Sequence, residues 1–134
     1  MYVLNAFLQN PLLQADFNGD GSEDVAAFIL EKSTKKKGIL VMHGKTNEYF
    51  VLGAGTKFGS GPENFTGANK WTIYKKKTAL EKVFNKENGD LVADREVRLS
   101  KPAILIEGVQ YGAAPGRGLL YWNDSKYVWI QQGE

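Results

Sequence analysis

Between Asp16 and Asp24 the chain reads Asp-Phe-Asn-Gly-Asp-Gly-Ser-Glu-Asp, with an oxygen-bearing side chain at every second position and glycines where a tight loop must bend. Hard cations select this pattern. Ca²⁺ takes about six to eight oxygens at roughly 2.3–2.6 Å, and a loop with ligands at alternate positions supplies most of them from one segment. Asp16, Asn18 and Asp20 offer side-chain oxygens, Ser22 a backbone carbonyl, and Asp24 a carboxylate acting directly or through water. Asn-Gly and Asp-Gly are also turn signals that need no ion, so charge density is the discriminating feature. Asp16, Asp20, Glu23 and Asp24 crowd four carboxylates into nine residues, and like charges this close oppose folding unless a cation sits among them. The expectation is a Ca²⁺ loop that clamps structure rather than catalyses.

Other chemistry finds weaker support. The loop is not an EF-hand, because its twelfth position is Ala27 where a bidentate Glu is required and its flanks do not read as helices. Gly44-Lys45-Thr46 resembles the end of a phosphate-binding loop, but the glycine that such a motif needs five residues earlier is Ile39. His43 is the only histidine, and nothing singles out a Ser or Asp partner for a catalytic triad; a partly buried or turn-capping role is expected. Zero Cys and one His leave zinc without a ligand set. Glu107, Glu96 and Asp94 could serve a hydrolase, yet their contexts read as solvated strand and turn positions. Lys35-Lys36-Lys37 and Lys75-Lys76-Lys77 are too short to argue for nucleic acid and fit hairpin ends. Trp71, Tyr74, Tyr111, Tyr121, Trp122, Tyr127 and Trp129 could present rings to a glycan or protein partner, against core packing, which rewards the same residues.

These residues must be positioned by strands. Val25–Leu30 and Ile39–Met42 are apolar runs joined by a polar, glycine-containing segment, and they read as a strand pair after the loop. Leu12–Phe17 enters the loop as a strand, and Glu48–Leu52 follows the turn at Gly44–Asn47. The stretch from Gly53 to Asn69, rich in glycine and poor in aliphatics, is expected to be a long irregular loop. Further strands are predicted at Lys70–Tyr74, Leu80–Phe84, Leu91–Leu99, Ala103–Ile106, Leu119–Trp122 and Tyr127–Ile130. In the last hairpin, alternation puts Tyr121 and Trp122 on opposite faces. At the start, apolar residues at positions 3, 4, 7 and 8 before Pro11 predict a short N-terminal helix over Tyr2–Gln9. The whole is a mainly β, antiparallel sandwich or barrel with a short N-terminal helix.

Ala15-Asp16-Phe17-Asn18-Gly19-Asp20-Gly21-Ser22-Glu23-Asp24-Val25-Ala26 resembles the D-x-N-x-D-G-x-x-D loop of FG-GAP and VCBS-type repeats, as in integrin α-chain propeller blades. That resemblance implies Ca²⁺ held between neighbouring strands by Asp16, Asn18, Asp20, Ser22 and Asp24. A propeller needs several blades, and the loop occurs once in 134 residues. The chain is also similar to small bacterial exported proteins that begin with this loop and end in a Tyr-Trp hairpin, here Leu120–Trp129.

Bulk composition frames these readings. A chain of 134 residues with 43% hydrophobic and 24% charged content holds one core, so residues 1–134 are expected to form a single β-rich domain. The net charge of +2 comes from 17 basic against 15 acidic residues, too mild to argue for a polyanionic partner. Absence of Cys excludes a disulfide framework and a thiolate nucleophile. No run approaches the roughly 20 apolar residues that span a bilayer, and the first residues do not read as a signal peptide. A low-affinity Ca²⁺ loop is useful where calcium is millimolar, so a periplasmic or extracellular protein with its signal removed is expected. The function class is a non-catalytic calcium-binding module with an unknown protein or glycan partner and no nucleic acid. A glycan or cell-envelope binding module is the alternative, and a hydrolase with unidentified carboxylates is third.

Overall fold

The structure, a computed structural model, describes residues 1–4, 11–84, 87–88, 90–111 and 114–132. The described residues form eleven strands and no helix: β1 (Tyr2–Leu4), β2 (Leu12–Ala15), β3 (Asp24–Glu31), β4 (Lys37–Met42), β5 (Tyr49–Gly53), β6 (Lys70–Tyr74), β7 (Thr78–Phe84), β8 (Leu91–Arg98), β9 (Ala103–Tyr111), β10 (Ala114–Trp122) and β11 (Tyr127–Gln132). All pairings between them are antiparallel. In the first sheet β1 and β2 share one edge of β3, with β4 and β5 beyond it; the second runs β11-β10-β9-β6, and β7 pairs only with β8. None of the sheets closes into a barrel.

The N-terminal helix is corrected over Tyr2–Leu4, which is strand β1 with Leu4 opposite Ile29 and Tyr2 opposite Glu31. β2 covers β3 only as far as Ala27, so the rest of that edge offers unpaired backbone groups to which a short apolar segment can bond. A helix of so few residues would have to meet its nucleation cost unaided. The remainder of the predicted helix, from Asn5, lies outside the described residues.

The two large sheets face each other across one core. Leu13, Ala26, Phe28, Ile39, Val41 and Leu52 from the first meet Trp71, Ile104, Ile106, Leu120, Tyr127 and Trp129 from the second. The second sheet is also covered behind: Leu119, Tyr121 and Ile130, on alternate residues, pack with Ala79 of β7 and with Leu99 just past β8. Tyr121 and Trp122 therefore do take opposite faces, each against a different cluster. Close strand-to-ring approach demands glycine at Gly118, where a Cβ would stand 2.0 Å from Cζ2 of Trp129. The first sheet is apolar on both sides. Its outward positions include Leu12, Ala27, Leu40, Met42, Tyr49 and Val51, of which Leu12, Met42 and Tyr49 are exposed.

The segment between β5 and β6 is irregular, as predicted, yet it closes one end of the core. Phe65 is fully buried, sits edge-on to Trp129 with ring centroids 5.8 Å apart, and stacks with Phe58. Its backbone N–H donates to the Lys37 carbonyl at 2.9 Å.

Candidate functional site

Asp24 opens β3 opposite Ala15 of β2, and strand alternation turns its side chain inward beside Ala26, so its carboxylate is wholly buried. Burying a charge is costly unless donors replace water. Three backbone donors do so: the N–H groups of Phe17 (2.8 Å) and Asn18 (3.2 Å) reach Oδ2, and that of Gly44 (2.9 Å) reaches Oδ1. One carboxylate thus joins the start of the acidic loop to the turn after β4. Gly44 is required there, because a Cβ would lie 2.1 Å from the Glu23 carbonyl oxygen. Phe17, 1% exposed, anchors the loop from below.

Above this base the loop folds around its own carboxylates. Asp16 Oδ1 accepts from the N–H groups of Gly19 (2.8 Å) and Asp20 (3.1 Å), and its Oδ2 from Gly21 (2.8 Å). Asn18 Oδ1 accepts from Asp20 N–H at 3.3 Å, and Asp20 Oδ1 from Ser22 N–H at 2.9 Å. The Asn18 amide donates to Asp20 Oδ2 at 3.1 Å. Gly19 and Gly21 adopt φ of 75° and 87°, left-handed values that let these N–H groups converge. The Ser22 N–H, ahead of the Asn18 amide and the nearby Lys45 charge, holds the Asp20 carboxyl below its ordinary value against the opposing effect of desolvation. Lys101, which sequence reading passed over, lies across the loop: its Cδ is 2.9 Å from where a Gly19 Cβ would stand. Its ammonium is held by Asp124 at 2.8 Å and lies 5.1 Å from the Tyr121 ring centroid.

A cation's fit to this loop turns on the oxygens still able to bind. A carboxylate has about four lone-pair sites and an amide oxygen two. Three hydrogen bonds leave Asp16 one, two leave Asp20 two, and one leaves Asn18 one. With the Ser22 carbonyl, this is a hard, all-oxygen donor set of the kind Ca²⁺ takes. It is poor in charge: among the described residues no three His, Cys, Asp or Glu side chains come together as a metal-holding group. Asp24 also keeps one site after its three hydrogen bonds, but its carboxylate is wholly buried, so water-mediated contact suits it better.

The remaining candidates are distributed as structure. His43 is 1% exposed, bonded through Nε2 to the Tyr127 hydroxyl at 2.7 Å and enclosed by Phe50 and Trp122, whose rings lie 4.9 and 4.8 Å away. Burial, reinforced by the Asp24 charge, pushes the Tyr127 hydroxyl well above its usual pKa. Gly44-Lys45-Thr46 leads into β5 and not into a helix. Asp94 pairs with Lys82 at 2.9 Å, Glu107 lies 3.9 Å from Lys70 and 3.8 Å from Arg117, and Glu96 is exposed on β8. Trp71, Trp129, Tyr121 and Tyr127 are buried, while Trp122 and Tyr74 are partly so; the Tyr111 side chain lies outside the described residues. Ring positions on which a glycan platform would draw are thus largely core positions, and among the described residues the exposed aromatics are Tyr2 and Tyr49. No described helix is long and apolar enough to cross a membrane. Compared with known proteins, the chain matches no family model, no curated protein and no solved structure.

Proposed function

We propose that this is a non-catalytic β module whose Asp16–Asp24 loop takes up Ca²⁺ as a low-affinity clamp, in a periplasmic or extracellular setting where the ion is millimolar. The observation that carries the reading is the lone-pair capacity left on Asp16, Asn18 and Asp20 after the loop has folded around them. The likeness of the same residues to FG-GAP and VCBS-type loops supports it. Asp16, Asn18 and Asp20 would bind through side chains, Ser22 through its carbonyl and Asp24 through water. When bound, the ion supplies positive charge among carboxylates and no reaction chemistry. Few carboxylates mean weak binding, because ligand charge count sets affinity in such loops. The module's partner, a protein or a glycan, would be met elsewhere on the surface.

With a dissociation constant on the order of 0.1 mM, 1 mM Ca²⁺ would add about 1.4 kcal/mol to stability by mass action. Melting with Ca²⁺, with Mg²⁺ and with chelator tests this directly. Ca²⁺ alone should raise the melting temperature, and Asp20→Ala should abolish the increment. Coincident melts of the wild type in calcium and chelator would overturn the proposal.

A further inference from the structure

A second charged region, which shares Lys101 with the acidic loop, has a different character. Lys75, Lys76 and Lys77 follow β6, and Ser100, Lys101 and Pro102 lead into β9; with Leu99 they line a cleft of about 180 Å³. The two turns are fixed to each other, since Leu99 N–H donates to the Lys77 carbonyl at 2.7 Å. Leu99 is buried beneath, against Ala79 and Tyr121. Ser100 is held by the Tyr121 hydroxyl, which accepts its N–H at 3.0 Å and lies 3.2 Å from its Oγ. Four lysines therefore line a concave site with a fixed floor.

Their charge is scarcely compensated. Lys101 spends its ammonium on Asp124, but the ion pairs among the described residues include none made by Lys75, Lys76 or Lys77, and all three are exposed. Across the hairpin, Arg98 opposite Thr78 adds another exposed positive charge. Clefts lined by one sign of charge concentrate counter-ions. The volume also bears on the ligand: small-molecule pockets usually run from about 300 Å³ upward, so this cleft suits a single small group.

We infer that the cleft formed by Lys75, Lys76, Lys77, Ser100 and Lys101 is a binding site for a small tetrahedral oxyanion, a phosphate group either free or carried as a monoester. Lysines serve such a ligand as mobile point charges, and the Ser100 hydroxyl adds a neutral hydrogen-bonding group beside them.

The test is an amide chemical-shift titration of the whole chain with inorganic phosphate and, separately, with glycerol phosphate, each at ionic strength matched by sodium chloride. Saturable shifts at residues 75–77 and 99–102 with either ligand support the site, and tighter binding of glycerol phosphate identifies the monoester as its natural form. The double variant Lys76→Ala/Lys77→Ala should weaken binding at least tenfold, while Lys35→Ala, on a distant exposed turn, should leave it unchanged. Because residues 76 and 77 are solvent-facing, near-ultraviolet circular dichroism should confirm that the double variant keeps its fold. Shifts reproduced by chloride alone, or an affinity unmoved by the double variant, would overturn the assignment.

Discussion

The acidic loop and the basic cleft both touch Lys101 and treat crowded charge in opposite ways. In the loop, Asp16, Asp20 and Asp24 draw in the N–H groups of Phe17, Asn18, Gly19, Asp20, Gly21, Ser22 and Gly44. In the cleft, Lys75, Lys76 and Lys77 stand without such compensation. The difference comes from the backbone itself. A turn with glycines can aim several amide donors at one carboxylate, so the chain solvates its own anions. An ammonium has only donors, and where strand carbonyls are already paired it must look to water, to a carboxylate or to a ligand. Density of like charge in a sequence is therefore not in itself a demand for a counter-ion. Its sign, and the glycines around it, decide where the compensation comes from.

The contrast can be broken at several depths. Asp24→Ala should have the largest effect: it strands the donors of Phe17, Asn18 and Gly44 around a buried void, and a loss of about 3 to 5 kcal/mol is expected in chemical denaturation. Asp16→Ala frees three donors that water can reach, so about 1 to 2 kcal/mol is expected by the same measurement. Alanine at Lys76 and Lys77 should shift stability by no more than about 0.5 kcal/mol, as exposed changes do. A loss comparable to that of Asp24→Ala would mean that these lysines hold the fold together.

The smallest effect is a pH dependence. The Asp20 carboxyl has a depressed folded-state pKa, so its stabilising contribution is full above the unfolded value and is lost as pH falls through the folded one. Asp20→Asn should flatten the acid limb of the stability curve in calcium-free buffer. An acid limb identical to the wild type's would show that the Ser22 bond contributes nothing in solution.

Much of this architecture was legible. The strand pairs follow from apolar runs and turn residues, and the opposite facing of Tyr121 and Trp122 follows from alternation alone. Along β3 and β4 the apolar runs are continuous because both faces of the first sheet are apolar, a pattern that strand periodicity does not separate from deep burial. What failed to show was non-local. Tyr2–Leu4 became a strand because an edge some 27 residues away was open, and Asp24 is anchored by Gly44, 20 residues on. Gly53–Asn69 read correctly as irregular, yet its role in closing the core rests on Phe58 and Phe65, which carry no periodic signal. The five candidate ligand residues of the loop were visible in the sequence; the hydrogen bonds already engaging the side chains of Asp16, Asn18, Asp20 and Asp24 were not.

Among the described residues the β7–β8 hairpin has no strand partner beyond itself. It is moored by Leu99 N–H to Lys77, by the Tyr74 hydroxyl to the Thr78 carbonyl at 2.7 Å, by the Gln132 amide to the Leu80 carbonyl at 3.1 Å, and by the few side chains of the rear cluster. Elements with so few ties open below the cost of global unfolding. Amide protons of β7 and β8 should then exchange with deuterium well before those of β9 and β10, making the hairpin a separate cooperative unit whose departure wets the back of the second sheet.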